Sequence, residues 1–112
     1  MFNKTIILLV LVCGLLLVLG CGGKSATTKI TEQAVSACQK LCQQAKDQGR
    51  DLVNGPCLSD EIIDDWVCDI AHDPRLTVDD EAQNQCLAYR NGTAHAFVEL
   101  TPNCQVIKTR AP

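Results

Sequence analysis

The chain has 112 residues, of which 46 % are hydrophobic, with 10 Lys and Arg set against 13 Asp and Glu and with eight cysteines. That length holds one small core, which excludes a large α/β enzyme, a multi-span membrane protein and a nucleotide-binding domain of ordinary size. The formal net charge of −3 argues against nucleic acid as a partner.

Met1 to Lys4 is a short, positively charged start, followed by the uncharged run Ile6–Leu19. As a helix those 14 residues would reach about 21 Å, well short of the ~30 Å hydrocarbon slab. The run therefore reads as the apolar part of an export signal and not as a permanent span. It ends in Val18-Leu19-Gly20-Cys21, which resembles the lipobox of prokaryotic lipoproteins. In that motif an aliphatic residue, a small or aliphatic residue, Gly or Ala, and Cys stand in order. Here Leu19 is bulkier than the Ala, Ser or Thr usual before the glycine, and Val18 replaces the commoner Leu. The resemblance covers only the N-terminal segment. It implies cleavage between Gly20 and Cys21 and attachment of diacylglyceryl to the Cys21 sulfur, with acyl chains such as palmitate entering the membrane. An uncleaved anchor and plain secretion are the two rival readings, and all three place the rest of the chain outside the cytoplasm. Cys13 would leave with the leader.

Residues 21–30 follow as a lipid-anchored tether. Gly22 to Lys29 has two glycines, several hydroxyls and no apolar period, the composition of a flexible leash. Residues 31–112 are expected to form a single disulfide-rich domain. Its six cysteines, Cys38, Cys42, Cys57, Cys68, Cys86 and Cys104, are even in number, and the domain is small and exported. Three disulfides are the expectation, in any of about 15 pairings. Cys38 and Cys42 are spaced to leave one helix face together, so they should bind different partners and fix the helix at two points.

Ala34, Val35, Cys38, Leu41, Cys42 and Ala45 form the stripe of an amphipathic helix over Thr31–Gln48. Thr31 is its expected N-cap and Gly49 its stop. Asn54-Gly55-Pro56 is a turn. Ser59-Asp60-Glu61 is expected to open a short helix over Ile62–Trp66. Trp66–Ile70 then reads as a strand with Trp66, Cys68 and Ile70 on one face. Thr77–Gln85 is polar, a loop or one helical turn. Asn91-Gly92 signals a type I′ hairpin joining Leu87–Arg90 to a strand at Ala94–Leu100. Pro102-Asn103 makes a second turn before a strand at Gln105–Thr109. The expected fold class is α+β, one N-terminal helix packed on a short antiparallel sheet.

Candidate chemistry is sparse. Cys57 or Cys68 with His72 or His95 would supply the atoms of a cysteine hydrolase, but paired cysteines leave no free thiol. The cysteines lie too far apart for a two-pair zinc site, and no cysteine pair has the redox Cys-x-x-Cys spacing. Nine acids crowd Asp60–Glu81 against Arg75 alone, a pattern that usually marks a solvated face and otherwise a patch for a cationic partner. Asn91-Gly92-Thr93 fits an N-glycosylation acceptor and serves equally as a turn. These readings make the chain a lipid-anchored cell-envelope protein, a binding or structural module without catalytic residues, cofactor or metal. Its partners would be the membrane lipid, through Cys21, and a protein or other envelope component. The alternatives are an extracytoplasmic cysteine-dependent enzyme or redox factor, and a secreted inhibitor-like module.

Overall fold

A computed structural model describes residues 22–112; the leader, Cys13 and the lipobox Cys21 lie outside the described residues. The described residues fold as α+β, with one long helix against a four-stranded sheet. Helix α1 spans Ala26–Asp47, and the strands are β1 (Cys57–Ile63), β2 (Trp66–Ile70), β3 (Ala96–Leu100) and β4 (Val106–Arg110), in the spatial order β1-β2-β3-β4. Between β2 and β3 run two short 3₁₀ turns, Thr77–Asp80 and Ala82–Asn84, and the one-turn helix α2, Leu87–Arg90.

Helix α1 begins at Ala26 and not at Thr31, inside the stretch expected to be tether. The Ser25 hydroxyl accepts the Thr28 N–H at 3.2 Å, the bond an N-cap provides. Thr31 instead donates its hydroxyl to the Thr27 carbonyl one turn back, within the helix. The C-terminus is where the glycine signal puts it. Gly49 has φ +75°, and the Gly49 and Arg50 N–H groups close onto the Lys46 and Ala45 carbonyls.

Two other segments differ from expectation. Ile62–Trp66 is not helical: Ser59–Ile63 continues β1, and the chain turns at Asp64-Asp65 into β2. The Ser59 hydroxyl accepting the Glu61 N–H is a local bond that imitates a helix cap. Pairing with β2 overrides it and lets Leu58, Ile62 and Ile63 pack on the core. Leu87–Arg90 is helical and not a hairpin strand. The Asp60 carboxylate accepts the Ala88 N–H at the start of that turn. Gly92, at φ +78°, ends it, so the Asn-Gly pair serves a helix terminus in place of a type I′ hairpin.

The sheet is mixed and not wholly antiparallel as expected: its two outer pairs are antiparallel hairpins, but the crossover between β2 and β3 brings the chain back to pair with β2 in the same direction. This parallel register sets Cys68 beside Val98 and Asp69 beside Glu99. Alternation then divides the sheet. Trp66, Cys68 and Ile70 share the core with Ala96, Val98 and Leu100 under Ala34, Cys38, Cys42 and Ala45 of α1. Val67 and Phe97 belong to a second, smaller cluster with Cys86, Tyr89 and Ala94 on the opposite face.

Three disulfides brace these layers. Cys38–Cys68 ties α1 to β2, Cys42–Cys104 ties it to the β3–β4 turn, and Cys57–Cys86 ties β1 to the crossover before α2. Cys38 and Cys42 thus take different partners, as their shared helix face requires. Each bridge contributes about 2–4 kcal/mol, a large fraction of the ~5–15 kcal/mol that holds a typical domain.

Candidate functional site

The sheet face turned away from α1 carries a cavity of about 480 Å³. Its floor comes from alternate residues of three neighbouring strands: Val67 and Asp69 of β2, Phe97 and Glu99 of β3, and Lys108 of β4. Register places Asp69, Glu99 and Lys108 in one row across the sheet. The crossover supplies the walls, Arg75, Gln85 and Cys86, and α2 adds Tyr89 and Arg90.

Charge is unevenly matched within this cavity. Arg75 lies 3.2 Å from the Glu99 carboxylate and 2.8 Å from Asp80, fastening the crossover to β3. Among the described residues, Arg90 and Lys108 have no carboxylate within ion-pair distance. The Lys108 ammonium sits 5.9 Å from the centre of the Phe97 ring, and Tyr89 meets that ring edge to face at 5.2 Å.

Asp69 is the unusual group. Its Oδ1 is buried and without a hydrogen-bond partner among the described residues. Burial, aided by the neighbouring Glu99 carboxylate, pushes its pKa up to about 8, against the smaller opposing pull of the Ile70 N–H and of Arg75. At neutral pH it is a carboxylic acid, so the cavity's charge is set by Arg75, Arg90 and Lys108 against Glu99 alone. A carboxyl oxygen of Asp69 and the sulfurs of Cys57 and Cys86 all lie within 4.8 Å of one another. Those three atoms are of metal-ligating types, but both sulfurs are joined in a disulfide and offer no thiolate.

Most of the acid-rich segment is not one patch. Asp60 caps α2, Asp65 accepts the His95 N–H at the β1–β2 turn, and Asp80 pairs with Arg75. Asp79 is 2 % exposed. Burial alone would raise its pKa, yet the Leu76 and His72 N–H groups and the His72 ring hold the carboxyl below its usual range. His72 is thereby accounted for by Asp79, and His95, whose ring nitrogen is 2.7 Å from Asp65, by that turn. Neither Cys57 nor Cys68 is a free thiol, so the hydrolase constellation is not assembled. Asn91-Gly92-Thr93 is exposed at the end of α2, with the Asn91 side chain accepting the Thr93 N–H and hydroxyl.

The cavity residues Arg75, Arg90, Glu99 and Lys108 were not singled out as a site by the sequence. They converge only through the parallel β2–β3 register, for which the chain carries no local signal. Asp69 between Cys68 and Ile70 was the one available hint, an acid in an otherwise buried strand.

Among the described residues no helix is long and apolar enough to cross a membrane. Comparison of the chain with protein-family models, with curated proteins and with solved structures gave no match. Fold and cavity define a small disulfide-braced α+β domain with a hollow lined by charged and aromatic side chains.

Proposed function

We propose that this chain is a lipid-anchored cell-envelope protein whose domain binds a small organic anion with an aromatic or apolar body and turns nothing over. The observation that carries the binding reading is the pair Arg90 and Lys108. Both line the cavity without a carboxylate partner among the described residues, in a chain that is acidic overall. Two unpaired cations at a partly enclosed site favour an anionic group, while Tyr89 and Phe97 offer a ring face and edge to its body. Asp69, protonated at neutral pH, adds a hydrogen-bond donor in place of a repelling charge. Three disulfides suit an oxidising compartment, and the lipobox resemblance of Val18–Cys21 supplies the anchor.

Binding is tested by titrating the full chain in detergent with a panel of aromatic carboxylates and phosphates, followed by calorimetry or cavity-residue chemical shifts. Saturable binding that weakens with salt and is lost in Arg90→Ala or Lys108→Ala supports the reading. Equal response of the wild type and both variants across the panel overturns it. Anchoring is tested by fractionation: the wild type should sediment with membranes and the Cys21→Ser protein should not.

A further inference from the structure

We propose that the Cys57–Cys86 bridge is a thiol-exchange site, reduced by a dithiol protein or small-molecule dithiol, with Asp69 carrying the proton to the departing Cys86 sulfur. This does not rest on the anion-binding reading above; it follows from what surrounds one disulfide and not the other two.

The three bridges differ in setting. Cys38, Cys42 and Cys68 are each 0 % exposed, so Cys38–Cys68 is sealed between α1 and the sheet, whereas Cys104 is partly exposed at the β3–β4 turn. Cys57 is partly exposed, and Cys86 lines the cavity. Thiol exchange needs in-line access to one sulfur; Cys57 and Cys104 are the partly exposed members of their bridges, and among the described residues only the Cys57–Cys86 bridge has a carboxyl oxygen within 4.8 Å of both sulfurs. The departing sulfur is then poorly placed as an anion. Cys86 Sγ lies 3.5 Å from the Cys68 carbonyl oxygen and 3.7 Å from that of Ser59. Two carbonyl dipoles pointing their negative ends at a sulfur oppose a thiolate there. A proton source at that sulfur removes the difficulty. Asp69 is within 4.8 Å of both sulfurs, and its buried Oδ1 has no other partner among the described residues. A buried carboxyl oxygen without a partner calls for an explanation, and proton transfer to sulfur provides one.

A thiolate of the dithiol attacks Cys57 Sγ, forming a mixed disulfide as the Cys57–Cys86 bond breaks. The electron pair leaves on Cys86 Sγ, which takes the Asp69 proton. The second thiol of the dithiol gives its proton to the Asp69 carboxylate and displaces Cys57 Sγ. That sulfur is protonated from solvent, which received the first thiol's proton. The dithiol ends as a disulfide, Cys57 and Cys86 end as thiols, and Asp69 returns to its starting form.

The groups that set the Asp69 proton stand around it. Glu99 on β3 favours the protonated form, Arg75 opposes it and Asp79 favours it weakly. Lys108 on β4 and Tyr89 and Arg90 on α2 border the same cavity. On β1 the residue opposite Asp69 is Cys57 itself, and the acids Asp60 and Glu61 of that strand are exposed.

The test is timed reduction of the oxidised full chain in detergent by dithiothreitol between pH 6 and 10. Samples are acid-quenched, alkylated and peptide-mapped, and each rate is divided by the reductant's thiolate concentration. Cys57 and Cys86 should be labelled first, about 10-fold or more ahead of the other four. The corrected rate should fall as pH rises through about 8, and Asp69→Asn should be about 10- to 100-fold slower at pH 7 with a flat profile. Glu99→Gln, which removes the favouring neighbour, should move the fall to lower pH and serves if Asp69→Asn does not fold. Simultaneous opening of all three bridges, or a corrected wild-type rate that does not change with pH, overturns the proposal. So does an Asp69→Asn protein that is reduced at the wild-type rate.

Discussion

Asp69 of β2 and Glu99 of β3 are register partners in the one parallel pair of the sheet, so two carboxyl groups stand side by side on the cavity floor. Burial of Asp69, aided by this Glu99 neighbour, makes the domain's stability depend on pH in an unusual direction. An aspartate carboxyl in an unfolded chain has a pKa of ~3.9, whereas burial pushes that of Asp69 in the fold up to about 8. Between those values the folded state holds the extra proton, so this group's contribution is complete below ~pH 4 and is lost as pH rises through about 8. Urea denaturation under non-reducing conditions should show stability declining from pH 5 to pH 9. Asp69→Asn should flatten that decline and be more stable than the wild type at pH 9 by roughly 1–3 kcal/mol.

Asp79 acts with the opposite sign. Its carboxyl is held below the usual range by the Leu76 and His72 N–H groups and the His72 ring, so its contribution is present above ~pH 4 and lost as pH falls below that. Gly55 explains why the site tolerates no crowding. A Cβ there would meet Asp79 Oδ1 at 2.5 Å and the Ile70 carbonyl at 3.0 Å, and its φ is +66°. Gly55→Ala should cost about 2–4 kcal/mol in the same denaturation assay, more than Gly49→Ala, where nothing stands within 4 Å.

The bridges should rank by the loop each closes. Cys42–Cys104 spans a separation of 62 residues, against 30 for Cys38–Cys68 and 29 for Cys57–Cys86. Chain entropy alone assigns about 4.3 kcal/mol to the first and about 3.6 kcal/mol to each of the others. Paired Cys→Ala variants, compared by urea midpoint, should place Cys42→Ala/Cys104→Ala lower than Cys57→Ala/Cys86→Ala. Cys38→Ala/Cys68→Ala adds a cavity in the core to its entropy loss and should be at least as damaging as the first.

The cavity cations should matter for binding and not for stability. Arg90 and Lys108 make no ion pair among the described residues, and exposed charges of this kind contribute little. Arg90→Ala and Lys108→Ala should leave the urea midpoint within about 0.5 kcal/mol of wild type, while each weakens the affinity for the bound anion about 10-fold. A calorimetric titration run beside the denaturation curve separates the two effects.

The sequence revealed what local chemistry controls. The helix stripe from Ala34 to Ala45, the Gly49 stop, the Trp66–Ile70 strand and its buried face, and the Pro102-Asn103 turn were all legible, because each depends on residues a few positions apart. The separate partners of Cys38 and Cys42 followed from helix geometry. Where two structures share one signal, reading failed. Asn91-Gly92 supplies positive φ to a hairpin or to a helix end, and only the distant Asp60 carboxylate favours the latter. Ser59 bonds to the Glu61 N–H in a strand much as it would at a helix start. The cavity was hidden for a different reason: Asp69, Glu99 and Lys108 meet through sheet register, and a parallel crossover leaves no mark at any one position.

The central claim is that a fatty anchor on Cys21 holds an oxidised domain outside the cytoplasm, and intact-mass spectrometry of the protein from its host's membranes tests it most directly. The account expects a chain beginning at Cys21, heavier by a diacylglyceryl group, whose six remaining cysteines resist alkylation until a reductant is added. A chain that still carries Met1–Gly20, or one whose cysteines alkylate at once without reductant, would contradict it.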